Sequence, residues 1–233
     1  VSAVASTRPF FTRALSATGL SFAICLVVVV GLRVSPSTVA RSVSAEITRR
    51  VEASEAEWRA RETSPEWKEI TQKYPVAAQM VAQGEGQVRA MTPFSITFFP
   101  ALLALESLAA LGLAWSLYHR ASRTRIGAPL RKLREFRFND QLVWGLVLGV
   151  TMLVLPTLQD ARGLGLNFAA FFGVLYALRG LGVLDWFLSP RGVVRVLFFF
   201  AIFLAWPVVS VFSLGLGLGD TWIDWRGRAR PAA

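Results

Sequence analysis

The chain predicts an all-α, polytopic transmembrane helical bundle of about five spans with a helical extracytoplasmic insertion, and three observations carry that expectation. Apolar residues gather in five blocks, at 14–32, 94–117, 142–158, 164–188 and 193–218. Charged residues make up only 17% of the 233, and mean hydropathy is +0.48, whereas soluble domains carry about 25% charged residues. The basic residues that give a net charge of +10 stand mostly at the ends of the blocks, where membrane topology places them. That placement excludes nucleic acid as the partner that so basic a chain would otherwise suggest.

A helix needs about 20 apolar residues to cross a hydrocarbon core of about 30 Å. Four blocks reach or approach that length, and the third sits at its lower limit. The first, with Arg8 and Arg13 ahead of it, reads as a retained anchor over residues 1–34. The nearest small-x-small site for signal cleavage, ending at Ala45, is too far downstream. The lone cysteine, Cys25, lies inside this block, so no intrachain disulfide is possible.

Residues 35–92 form the insertion, nearly balanced in charge. Val39, Val43 and Ile47 recur every four residues, the period of an amphipathic helix. "SPEW" then marks a helix start, with Ser64 as N-cap, Pro65 at the first helical position and Glu66 in the first turn. Trp67, Ile70, Tyr74, Ala78 and Val81 continue at helical spacing, with a bend expected at Pro75 and an end at Gly84 and Gly86.

Residues 93–233 form a four-span membrane domain. Its connector 118–140 carries seven Lys/Arg against two acids. The positive-inside rule puts it in the cytoplasm, with Trp115, Trp144 and Trp186 in the interfacial belt on that side and Arg191 and Arg195 beside them. Its cations Arg120, Arg123, Arg125, Arg131, Lys132 and Arg134 are the expected contacts for anionic lipid headgroups or for a partner. Five crossings would leave the tail, with Arg226, Arg228 and Arg230, on the opposite face, against the charge rule. Either the tail is external, or the last span is broken and re-entrant near Pro207.

Three polar residues are candidates for the membrane interior. Arg179 sits in the fourth block, where an unpaired arginine costs about 2.5–3.5 kcal/mol. Glu106 sits near the centre of the second block, about one turn from Arg179 in depth, so the two are expected to pair. Asn167 and Asp185 share a face at opposite ends of the fourth block, as interfacial residues with local hydrogen bonds. Ala169, Gly173, Ala177 and Gly180 form a small-residue stripe for close helix packing. Asp160, Asp220 and Asp224 hint at a cation or phosphate site but read better as solvated interfacial carboxylates. The run 215–219, GLGLG, lacks the spacing and the flanking strand of a dinucleotide fingerprint. His119 is the only histidine, and no metal-ligand cluster or nucleophile elbow accompanies it, so neither cofactor nor catalysis is expected.

The second half also carries a family resemblance. Residues 134–138 ahead of a span, Asn167 leading the next one, Gly180 and Gly182 at its centre, and Gly219, Asp220, Trp222, Asp224 and Arg226 at the end resemble the YybS-like family of uncharacterised bacterial membrane proteins. The match covers roughly residues 129–228. Asn139 stands where that family has a proline. The family usually has further N-terminal spans, similar to the substrate-capturing subunits of vitamin transporters and to the rod-shape protein MreD. The resemblance implies a bacterial inner-membrane protein and names no reaction. Together these readings predict a non-enzymatic membrane component, transport-related or solute-binding, or alternatively a scaffold or accessory subunit of a membrane complex.

Overall fold

The computed structural model describes residues 10–189 and 192–228. Arg8, Arg191 and Arg230, and the side chains of Ala78 and Val81, lie outside that description. The described residues are helical with no strand. Among them nine α-helices follow one another: α1 (Phe10–Gly31), α2 (Pro36–Glu62), α3 (Pro65–Lys73), α4 (Pro75–Ala121), α5 (Val143–Val154), α6 (Arg162–Leu188), α7 (Val193–Leu204), α8 (Trp206–Ile223) and the single turn α9 (Trp225–Arg228). They divide into two compact units, Leu20–Phe99 on the one hand and Val1–Gly19 with Pro100–Ala233 on the other.

Capping residues explain the starts within the first of these units. The Ser35 hydroxyl accepts from the Thr38 amide and opens α2, and the Ser64 hydroxyl accepts from the Trp67 amide and opens α3, with Pro65 in its first turn. Each cap satisfies an amide that the first turn leaves orphaned. Pro75 has no amide hydrogen to continue α3, so the chain breaks at Tyr74 and α4 begins. Gly84 and Gly86 do not end the helix as expected. A glycine costs a helix only about 1 kcal/mol, and α4 runs through both to Ala121. Arg89 on α4 reaches back to Glu55 on α2 with two hydrogen bonds, at 3.0 and 3.2 Å.

Among the described residues, three helices are long and apolar enough to cross a membrane: Phe10–Gly31, Gly86–Ala121 and Pro156–Leu188, the last including a short 3-10 lead into α6. The third apolar block is too short. Its helix α5 has 12 residues, about 18 Å at 1.5 Å per residue, and it stops at Leu155 before Pro156. The fifth block is one bent pair: α7 and α8 meet at Ala205 at an angle of 101°, just ahead of Pro207. If that pair counts as one crossing, the spans number four. The count is thus three to four, with the expected break near Pro207 present as a sharp turn.

In the second unit, α6 is the central helix and packs on α8 and on α5. Glycines set how closely. A Cβ at Gly180 would overlap the backbone carbonyl of Ser213, and one at Gly217 would overlap the carbonyl of Tyr176. Only bare backbone fits at that crossing. At the other interface, a Cβ on Gly149 of α5 would lie 2.7 Å from the Ala169 amide nitrogen. The expected single stripe is therefore two surfaces. Gly180 faces α8, Ala169 faces α5, Gly173 has open space around it, and Ala177 is half-buried. The reason is distance along the axis: 11 residues, about three turns, return Ala169 and Gly180 to nearly the same side of α6 but about 16.5 Å apart, so α5 and α8 each cover a different stretch of the stripe.

Candidate functional site

The buried polar residues of this unit converge on the C-terminal half of α6. Arg179 is 3% exposed, Asp220 1% and Arg226 2%. Arg179 Nε donates to Asp220 Oδ2 at 2.9 Å, and its Nη2 donates to the Asp220 carbonyl at 3.1 Å. Its Nη1 donates to Asp140 Oδ1 at 2.6 Å, and the guanidinium lies over the Phe138 ring, 5.4 Å from the centroid. Arg226 donates to the same Asp220 oxygen at 2.7 Å and to the carbonyls of Arg134 and Phe136 at 3.0 and 3.1 Å.

Local sequence explains how these groups meet. Asp220 stands in the last turn of α8, brought against α6 by the Gly180–Gly217 crossing. Asp224 ends α8 in a left-handed conformation (φ 46°), which turns the chain so that Arg226 points back toward Asp220. Residues 133–140 cross α6 closely because a Cβ on Gly182 would collide with the Leu133 carbonyl. A second link, Arg137 with Asp224, joins the same two segments at the surface. That guanidinium holds the Asp224 carboxyl below the usual aspartate range, against a smaller opposing effect of burial.

Two arginines and two aspartates make the inner cluster neutral. Such a cluster satisfies charges that would each be costly alone, and removing one member leaves the rest exposed to that cost. Its chemistry is that of a clamp. Among the described residues no group of three or more His, Cys, Asp or Glu is placed to hold a metal.

The sequence-marked residues fall as follows. Arg179 is at the centre, but its partner is not Glu106. Glu106 is exposed on α4, and the aspartates at the end of α8 and ahead of α5 reach the guanidinium instead. The expectation of a Glu106–Arg179 pair is corrected: α4 meets α6 at Ala101 and Asn167, whereas the C-terminal half of α6 that carries Arg179 packs on α8 and the segment ahead of α5. Asn167 accepts from the Ala101 amide at 3.0 Å and donates to the Gly163 carbonyl at 2.9 Å. It serves as a local tie between α6 and the residue after Pro100 on α4. Asp160 is exposed, whereas Asp185 is buried and Asp220 is not the solvated carboxylate its position suggested. Arg120, Arg123, Arg125, Arg131, Lys132 and Arg134 are all exposed. His119 is buried, its two ring nitrogens each 3.1 Å from a carbonyl, those of Trp115 and Gly127. Asp140 was not among the sequence candidates, and Arg226 entered there only as a tail cation and as part of the terminal motif. The nearest signal was three charges close together, at 220, 224 and 226, after an apolar helix.

The C-terminal end of α8 thus lies against the basic connector, at the same level of α6. A family model described as "Predicted membrane protein (DUF2232)" matches residues 20–221, most of the chain. The chain belongs to the DUF2232 family. That match takes in the helical insertion as well as the membrane helices, and it establishes a membrane protein with no assigned activity. No curated protein and no solved structure matches.

Proposed function

We propose that this DUF2232 protein is a non-enzymatic subunit of a membrane protein complex, acting as scaffold or accessory. The observation that carries the reading is Glu106. It is exposed on the apolar stretch of α4, and no ion pair or hydrogen bond of its side chain occurs among the described residues. A carboxylate facing lipid is costly, and membrane proteins pair or bury such groups. A helix of another chain that offers a donor at that depth removes the cost. Arg179, by contrast, is consumed by Asp220 and Asp140 of its own chain. It supports a structural role rather than a pathway for a solute.

The basic connector and the segments bonded to it belong on the cytoplasmic side of a bacterial inner membrane by the charge rule. The affinity for the YybS-like family is supported by the same cluster. Asp224 and Arg226 of the terminal motif bond Arg137 and the carbonyls of Arg134 and Phe136 in the basic approach, which gives the joint occurrence of those motifs a physical reason. A solute-binding or transport-related role is the second reading. An arginine-lined cleft beside the cluster favours it.

Gentle-detergent purification with mass spectrometry tests the first reading. A stoichiometric membrane partner should co-purify with the native chain and be lost from Glu106→Gln, whose own folding is unchanged. Retention of the partner by that variant would refute Glu106 as the contact. Thermal stabilisation by a solute, without any co-purifying chain, would favour the second reading.

A further inference from the structure

Beside the buried clamp opens a cleft of about 760 Å³. Four guanidinium groups line it, those of Arg131, Arg134, Arg137 and Arg226, against two carboxylates, Glu135 and Asp224. Outside the neutral inner cluster, to which Arg226 belongs, three guanidinium groups stand against two carboxylates, an excess of one positive charge. Arg226 is already bound to Asp220, and Arg137 is paired with Asp224. Arg131 has no ion pair among the described residues, and Arg134 has only the Glu135 carboxylate, 3.8 Å away. Both are exposed at the surface, with donors to spare.

The backbone contributes as well. The carbonyls of Arg134 and Phe136, which would repel an anion, are turned inward to Arg226. Arg134, Glu135 and Arg137 therefore present their side chains to the cleft, while the carbonyls of residues 134 and 136 are satisfied behind it. Trp186 forms part of the wall at the end of α6, in a residue type that favours the headgroup level of a membrane.

We infer that this cleft is a binding site for a phosphate group. Several guanidinium forks converging on one opening match the oxygens of a phosphate better than a lone carboxylate. The group can come from an anionic phospholipid headgroup or from a soluble phosphate ester, and the two sources share this chemistry. Basic pockets at the ends of membrane helices take anionic headgroups in this way. The site is separate from the proposed contact at Glu106 and stands on different residues.

The test uses the full chain in neutral detergent and measures apparent affinity by thermal shift. Three probes are compared: phosphatidylglycerol, phosphatidylcholine and soluble glycerol phosphate. Phosphatidylglycerol should stabilise the protein and phosphatidylcholine should not. Arg131→Gln with Arg134→Gln should weaken the phosphatidylglycerol effect by about thirtyfold, the loss of two cations near an anionic headgroup. Arg123→Gln with Arg125→Gln removes the same charge from the connector outside the cleft and should change it by no more than about threefold. Stabilisation by glycerol phosphate over the same range identifies a soluble ester as the source, and its failure to act identifies the lipid. Equal losses in the two double variants, or no response to either anion, would overturn the site.

Discussion

Arg179 of α6 and Asp220 of α8 are 41 residues apart, joined at 2.9 Å and both all but sealed from solvent. Arg226 and Asp140 complete the link, so that three separate segments close on one carboxylate and one guanidinium. Asp220→Asn would leave two arginines short of charge, and a buried ion pair broken on one side costs about 3–5 kcal/mol. We expect Asp220→Asn and Arg179→Gln each to lower the midpoint of thermal unfolding in detergent sharply. The double variant should cost clearly less than the sum of the two, because neither charge is then left alone. Additive losses would mean the two side chains act independently.

Glu106 should behave differently. Being exposed and outside the clamp, Glu106→Gln is expected to change the stability of the purified chain by no more than about 0.5 kcal/mol, as surface substitutions do. Adding it to Arg179→Gln should rescue nothing. Recovery of folding yield in that double variant would restore a direct pairing between α4 and α6.

The glycines give a graded pair of outcomes. Gly180→Ala places a methyl where the Ser213 carbonyl stands. The helices must separate, at a cost of about 1–3 kcal/mol for overpacking. Gly173→Ala meets open space, and alanine is the better helix former, so stability should hold or rise slightly. Denaturation curves of the two variants side by side decide this.

Acidity should loosen the tie between α2 and α4. Arg89, the largest influence, holds the Glu55 carboxyl below the usual glutamate range through its hydrogen bonds. A group whose folded pKa is depressed contributes stability above its unfolded pKa, about 4.3 for glutamate, and loses it as pH falls through the folded value. The contribution should therefore be intact at neutral pH, begin to fall near the unfolded pKa of about 4.3, and be gone once the pH drops below the lowered folded value. Spin labels at Ala53 and Gln87, with Cys25 replaced by serine, should report a distance that is constant from pH 7 to pH 5 and broadens below pH 4. In Glu55→Gln the acid-dependent broadening should be absent.

Much of this arrangement was legible in the sequence. Apolar blocks gave the helices, "SPEW" gave a capped start, and Arg179 was marked as the costly residue of its span. What failed was partner choice. Nothing in the periodicity of α4 or α6 says which helices lie side by side; bare glycine backbone at positions 180 and 217 decides that. At the fifth block, length alone left a full crossing and a break near Pro207 both open, and the chain bends at Ala205. Hydropathy does not register a break at Ala205, and that break lets the tail return to the connector. Asp220 looked solvated because it stands at the end of the last apolar block, where a carboxylate meets the interface, whereas its neighbours in space are the guanidiniums of Arg179 and Arg226.

That return also resolves a conflict of charge. An unbroken last span would carry Arg226 and Arg228 to the face opposite the connector, yet Arg226 bonds the backbone of residues 134 and 136. The direct measurement is labelling of single cysteines, at Ser122 in the connector and at Arg228 in the tail, each with Cys25 replaced by serine, by an impermeant maleimide in intact and in opened cells. Both positions should label from the same side, only after the cells are opened. Labelling of Arg228→Cys in intact cells, with Ser122→Cys still protected, would contradict the clamp.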